Sequence, residues 1–262
     1  MGIGIAMVMF SDQAKASCQA VCRELASRWP DLPAAAEPGS KEDISSFKIG
    51  SAMVFLAPMP APIPWSELEG PCETSLLWKN ATQEVKQHRE HLLVTITSEL
   101  EPIELSTLLT QITTAVLAVS PTSIGVYWGN ATLVVPKAIF IDFAMDVMQE
   151  GPPLHIWVDF RVGNESNRTS SGFTAGMEAL GHMELEAKNT PEPPAELRER
   201  LMGLAGYLLD QGPVIKNGDT IGENANERIR VVYSKSAFGH EGKVMRLEYG
   251  VGTKSKPWWK MW

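Results

Sequence analysis

The chain has 262 residues, 44 % hydrophobic and 21 % charged, with a net charge of −8. These proportions are those of a globular protein and exclude wholesale disorder. No uninterrupted apolar run reaches the roughly 18–20 residues that span a bilayer. The apolar start Met1–Phe10 lacks the basic region and cleavage site of a secretory signal. The sequence therefore predicts neither a membrane span nor export.

Three cysteines are too few, and odd in number, for a disulfide framework, which points to a reducing cytoplasm. The charge is unevenly spread. Residues 1–150 hold 9 Lys+Arg and 17 Asp+Glu, a balance of −8, whereas residues 151–262 hold 14 of each. No Lys/Arg cluster offers the basic face that direct nucleic-acid binding needs. An acidic half either steers a basic partner or serves solubility alone.

Ile3–Phe10 is short and apolar and reads as a buried strand. Ser11 or Asp12 can cap the next helix, whose apolar positions Ala14, Cys18, Val21, Cys22 and Leu25 run to Trp29-Pro30. Phe47–Ala57 reads as one strand. Pro58–Pro64, with four prolines, predicts an extended connection. Trp65–Glu90 reads as mostly helical, and His91–Thr97 as a strand. Pro102 suits the first position of a helix running to about Val119, with Ile103, Leu105, Leu108, Leu109, Ile112, Val116 and Leu117 on one face. Gly125–Trp128 is a short strand and Pro136–Met148 a helix.

Gly151-Pro152-Pro153 marks a boundary. Leu154–Val162 follows as a strand, and the polar stretch Gly163–Gly176 as an exposed loop. Gly181–Lys188 alternates, with His182, Glu184 and Glu186 on the wet face of a half-covered sheet. Pro193-Pro194 opens a helix lasting to about Asp210, ended by Gly212-Pro213. Asn217-Gly218-Asp219 is a turn. Arg228–Tyr233 and Lys243–Tyr249 complete the strands. The fold class expected is α/β of the α+β kind, with mixed β-sheets layered with helices in two subdomains. One is an acidic α/β subdomain over 1–150 and the other a C-terminal α+β subdomain over 151–262.

Candidate chemistry is sparse. His88 and His91 have the spacing of a zinc pair but lack further ligands with supporting spacing, so no metal or cofactor is expected. Cys18 and Cys22, at i and i+4, read as core thiols, and Cys72 has no partner in sequence. The string Gly218-Asp219-Thr220-Ile221-Gly222 is either a tight turn or part of a catalytic loop. It matches neither a phosphate-binding loop nor a nucleophile elbow. His182, Glu184 and Glu186 are either a general acid/base or metal set or merely solvated side chains. Trp65, Trp78, Trp128 and Trp157 are assigned to the core. Trp258, Trp259 and Trp262 are expected to dock, because each buries on the order of 150–250 Å² when packed.

Several strings taken in order carry a resemblance. They are Met59–Trp65, His91-Leu-Leu-Val-Thr95, Gly125-Val-Tyr-Trp-Gly129, Trp157-Val-Asp-Phe160, Glu184-Leu-Glu186, Tyr207-Leu-Leu209 and Gly218-Asp-Thr-Ile-Gly222. Together they resemble the bacterial family of domain of unknown function 4261. That resemblance implies a setting: immunity proteins paired with toxins of the type VI secretion system, nucleases among them. It transfers no catalytic residue.

The expectation is a cytoplasmic immunity protein, or antitoxin, that neutralises a toxin by occluding its basic substrate-binding face. The candidate partner-binding residues are two acidic groups, Glu67, Glu69 and Glu73, and Glu99, Glu101 and Glu104. The partner is a cognate secreted toxin, with no direct nucleic acid and no membrane. The alternatives are an enzyme of unknown reaction using Asp219, His182 and Glu184, and a structural module of a larger assembly.

Overall fold

In the computed structural model, residues 2–33, 39–41, 44–165, 168–222 and 227–250 are described. Two units divide between Trp157 and Val158. Because residues 151–157 carry no Lys, Arg, Asp or Glu, the first unit holds the whole −8.

The first unit runs β1 (Gly2–Phe10), α1 (Cys18–Arg28), β2 (Gly39–Lys41), β3 (Ile44–Ile49), β4 (Ala52–Met59), α2 (Trp65–Thr74), α3 (Ala81–Val85), β5 (Glu90–Ser98), α4 (Pro102–Val119), β6 (Ser123–Trp128), β7 (Leu133–Pro136), α5 (Lys137–Asp142), α6 (Met148–Glu150) and α7 (Leu154–Trp157). A π-helical turn, Phe143–Val147, joins α5 to α6. The strands form one sheet in the order β2-β3-β4-β5-β1-β6-β7. Every neighbouring pair in it is antiparallel, so this sheet is not of the mixed kind expected.

The two faces of the sheet differ. Gly4, Ala6 and Val8 are buried on one of them, with Val94 and Ile96 of β5 and Val54 and Leu56 of β4 beside them. Here α4 packs on β1 and β5, and α1 packs on α4. The glycines permit the close approach, since a Cβ on Gly4 would lie 3.3 Å from Leu109 Cδ2. Among the described residues, the other face is covered at one end, where Met9, Tyr127 and Val134 pack with Leu68 and Cys72 of α2 and with Trp78, Ala81 and Val85.

Helix α4 has the expected bounds. Pro102 opens it, and the Glu104 carboxylate accepts the Glu101 N–H at 3.3 Å. Its 18 residues, of mean hydropathy 1.3, are long and apolar enough to cross a membrane. That qualifies the expectation of no such segment, but 67 % of the helix is buried inside the protein, as a core helix is. Other expectations are corrected. The helix α1 begins later than Ser11 or Asp12 would place it, capped by Ser17 Oγ accepting from Ala20 N at 3.4 Å. Phe47–Ala57 is not one strand, because Gly50, at φ +56°, turns the chain between β3 and β4. Within Trp65–Glu90 only α2 and α3 are α-helical.

The second unit runs β8 (Asp159–Asn164), β9 (Ser170–Ala175), β10 (Leu185–Thr190), α8 (Pro194–Gln211), β11 (Thr220–Ile221), β12 (Ile229–Lys235) and β13 (Lys243–Tyr249). Its sheet has the order β11-β12-β13-β10-β9-β8 and is mixed, with β10 and β13 parallel. Helix α8 packs on β8, β9 and β10 through a buried stripe that includes Leu197, Leu201, Leu204 and Leu208. The fold is α+β, as expected.

Two further corrections arise here. Leu154–Val162 is not one strand but α7 followed by β8. Gly163–Gly176 is not an open loop, because it contains β9, in which Ser170, Ser171, Gly172 and Thr174 are buried. Small side chains are required there: a Cβ on Gly172 would meet Val162 Cγ2 at 2.7 Å and the Arg161 carbonyl at 2.9 Å. The polar atoms are satisfied, with Ser170 Oγ donating to the Glu192 carbonyl at 2.6 Å and Ser171 Oγ accepting from Asn189 N at 2.9 Å.

Candidate functional site

The six glutamates singled out from sequence all lie in the first unit and all are exposed. Glu67, Glu69 and Glu73 stand on α2, whose opposite side sends Leu68 and Cys72 into the core. Glu69 accepts from Trp65 Nε1 at 3.1 Å, and Lys86 Nζ sits 4.3 Å from the centre of the Trp65 ring. Glu99 directly follows β5. Glu101 and Glu104 cap α4 and so have a local structural role. None of the six forms an ion pair among the described residues. Their negative charge therefore faces solvent.

The histidine pair hydrogen-bonds to backbone. His88 Nε2 accepts from Ile63 N at 2.8 Å, and its Nδ1 faces the Val85 carbonyl. His91 Nδ1 lies 2.8 Å from the Ala61 carbonyl. The two rings thus fasten the proline-rich strap that leads into α2. Acceptance at Nε2 fixes His88 as the neutral Nδ1–H tautomer, and burial lowers its pKa in the same sense. Cys18 and Cys72 are buried, and burial pushes their thiols up to about 12 and about 11. Among the described residues, no group of three or more His, Cys, Asp or Glu is placed to hold a metal ion.

In the second unit, Glu184 and Glu186 are not on a wet face, because both are buried. Each carboxylate holds a loop. Glu184 accepts from Thr174 Oγ1 at 2.7 Å, Gly176 N at 2.8 Å and Glu178 N at 3.1 Å. Glu186 accepts from Ser236 Oγ and from Ala237 N at 2.9 Å, and Ser236 Oγ in turn accepts from Phe238 N at 2.9 Å and His240 N at 3.0 Å. A third carboxylate, Glu192, binds Arg200 and accepts from Tyr249 Oη at 3.0 Å. These clamps were not foreseen. Their partners lie up to 57 residues away in sequence, and no local spacing signals them.

The enzyme alternative required Asp219, His182 and Glu184 to converge. His182 and Glu184 do line one cavity of about 440 Å³, with His240 and Lys243. Asp219 lines a different groove, of about 910 Å³, beside Arg200, Tyr207 and Val214. There its Oδ2 accepts from Lys216 N at 2.7 Å, and Gly218 takes φ +95°, so Asp219 serves the turn. Trp78, Trp128 and Trp157 are buried as expected, Trp157 Nε1 donating to Thr110 Oγ1 at 2.8 Å, whereas Trp65, expected in the core with them, is only half-buried at the start of α2. The tail with Trp258, Trp259 and Trp262 lies outside the described residues.

Desolvation, the largest influence on Glu184, raises its pKa, against the opposing effect of its hydrogen bonds. A raised folded pKa means that the folded state holds a proton which the unfolded state has released, so stability falls as pH rises from the ordinary carboxylate range through the folded pKa. Glu184→Gln keeps the shape of the clamp and removes the titration. We expect its denaturation midpoint to match or exceed wild type at pH 7.5 and to vary less with pH between 4.5 and 7.5. Equal pH slopes for the two proteins would refute this.

Comparison with known proteins adds little chemistry. No curated protein and no solved structure matches the chain. Residues 173–248, which contain both loop clamps built on Glu184 and Glu186, are similar to a family described only as a domain of unknown function, number 4261.

Proposed function

We propose that this chain is a cytoplasmic immunity protein that binds and neutralises a type VI secretion toxin, a nuclease, by covering its basic substrate-binding face. One observation carries the reading: the whole −8 resides in the first unit, where six solvent-facing glutamates stand in two groups. A nuclease must hold a polyanion, so its substrate face is basic. A protein with an acidic surface competes for that face and associates fast through long-range attraction. The ordered sequence strings that resemble the family support the setting. The hydrogen bonding of Glu184 and Asp219 favours binding over catalysis, since both carboxylates are engaged in holding loops.

The test is to co-express the chain with the toxin encoded beside its gene, and to measure nuclease activity and association kinetics. Wild type should abolish the activity at equimolar ratio. Changing Glu67, Glu69 and Glu73 together to Gln should slow association by about threefold to tenfold at low salt and leave dissociation nearly unchanged. The difference should shrink once the Debye length falls to about 10 Å near 0.1 M salt. Full nuclease activity in the presence of wild type would sink the proposal.

A further inference from the structure

The half-covered face of the first sheet leaves large apolar side chains exposed. Its side chains form cross-strand rows. One row is Lys48, Met53, Thr97 and Ile3, and the next is Ser46, Phe55, Thr95 and Ile5. The rows that follow contain Met7 and Met9, which the α2–α3 cluster covers. Among the described residues, none covers the first two rows. Ile3 is 60 % exposed and Ile5 37 %, with Met53, Phe55, Thr95 and Thr97 half-buried around them. These are central strands of the sheet, β3-β4-β5-β1, so the backbone is already paired and only side chains face outward. The same strand buries Gly4 and Ala6 against the α4 side. Its large residues Ile3 and Ile5 are thus on the part of the other face that no helix among the described residues covers, the reverse of what packing within the chain would select.

We infer that these two rows are a docking surface for a basic protein partner that places an apolar ridge on Ile3, Ile5 and Phe55. Charge decides the occupant. Glu99 lies one residue beyond Ser98, which pairs with Gly2 beside the first row. Helix α2, with Glu67, Glu69 and Glu73, is on this same face of the sheet, because its Leu68 packs with Met9. Lys48, at the outer end of one row, is the basic side chain within the two rows. A second copy would set one −8 unit against another, and an anionic lipid surface would be repelled in the same way. A basic partner gains on both counts: its cations meet the acidic margin and its ridge removes the isoleucines from water. This inference rests on the immunity reading and locates its interface.

The experiment uses the full chain and the purified toxin that wild type is expected to neutralise. Ile3→Thr with Ile5→Thr removes apolar contact without changing charge and keeps β-branched side chains in the strand. Binding should weaken at least about tenfold, chiefly through faster dissociation, with the melting temperature within a few degrees of wild type. Thr97→Arg, on a half-buried surface position, should weaken binding independently by opposing the partner's charge. Wild-type affinity in both variants overturns the docking surface while leaving the immunity reading intact. A wild-type dimer that the double variant dissociates assigns the surface to a second copy and also overturns it. Failure of wild type to bind the toxin removes both the reading and the inference.

Discussion

Arg200→Met should destabilise the second unit by about 3–5 kcal/mol, the cost of removing one partner from a buried ion network. The Arg200 side chain, 10 % exposed, lies between Glu192 and Glu227, which are 1 % and 8 % exposed. Its Nη2 is 2.6 Å from Glu192 Oε1 and 2.8 Å from Glu227 Oε1, and its Nη1 donates to Glu227 Oε2 at 3.2 Å. Removing the guanidinium takes away the positive charge that both buried carboxylates face. Tyr249, whose Oη donates to Glu192 and whose pKa is raised by burial and by Glu192, is drawn into the same disturbance. Urea denaturation followed by near-ultraviolet circular dichroism reads the effect. Replacing Arg200, Glu192 and Glu227 together by apolar residues of similar volume should recover most of the loss, because the network's own net contribution is small. A single substitution costing under about 1 kcal/mol would show that the three groups are solvated.

That network also marks where sequence reading stops. Glu192 and Arg200 are close in sequence, but Glu227 and Tyr249 join them only through the β10–β13 parallel pairing and the turn around β11. Glu184 and Glu186 look like the polar half of an alternating strand. Glu184 lies just before β10 and Glu186 within it, and both are buried because the segments at 174–178 and 236–240 fold onto their carboxylates. Polar pattern reports what a side chain is, and burial depends on what packs over it. The same limit hid β9, whose Ser170, Ser171 and Gly172 form a loop-like string yet pair with β8, with Gly172 crowded by Val162 and Leu201.

Where local rules suffice, the elements were legible. Proline at the first turn and a broad apolar stripe located α4 and α8 nearly to the residue. The alternation Gly2-Ile3-Gly4-Ile5-Ala6 carries a second signal. An apolar run reads as a strand buried on both sides, but small residues on alternate positions signal a helix pressed close to one face. The large residues then belong to the other face. The structure shows that face open at Ile3 and Ile5. The acidic surplus was visible as a sum. Its placement on solvent-facing positions of the first unit required the fold.

Gly125→Ala should destabilise the first unit by about 1–3 kcal/mol, the usual cost of forcing a methyl group into a full core. Gly125 pairs with Met9 on one side and Pro136 on the other, under the indole of Trp78. A Cβ there would lie 2.5 Å from Trp78 Cζ3, 2.8 Å from its Cη2 and 2.5 Å from the Val135 carbonyl oxygen. The indole is not free to retreat, because its Nε1 donates to Glu84 at 2.8 Å and the residue is 5 % exposed. Trp78→Leu alone should cost about 3–5 kcal/mol, as large-to-small changes of buried aromatics do. The double variant separates the two obstacles. If the ring were the whole difficulty, Trp78→Leu would make room and the alanine would become nearly neutral in that background. The Val135 carbonyl belongs to the β6–β7 ladder and cannot move without breaking strand pairing, so at least half of the alanine's cost should persist. A fully neutral Gly125→Ala in the Trp78→Leu background would assign the glycine to the indole alone.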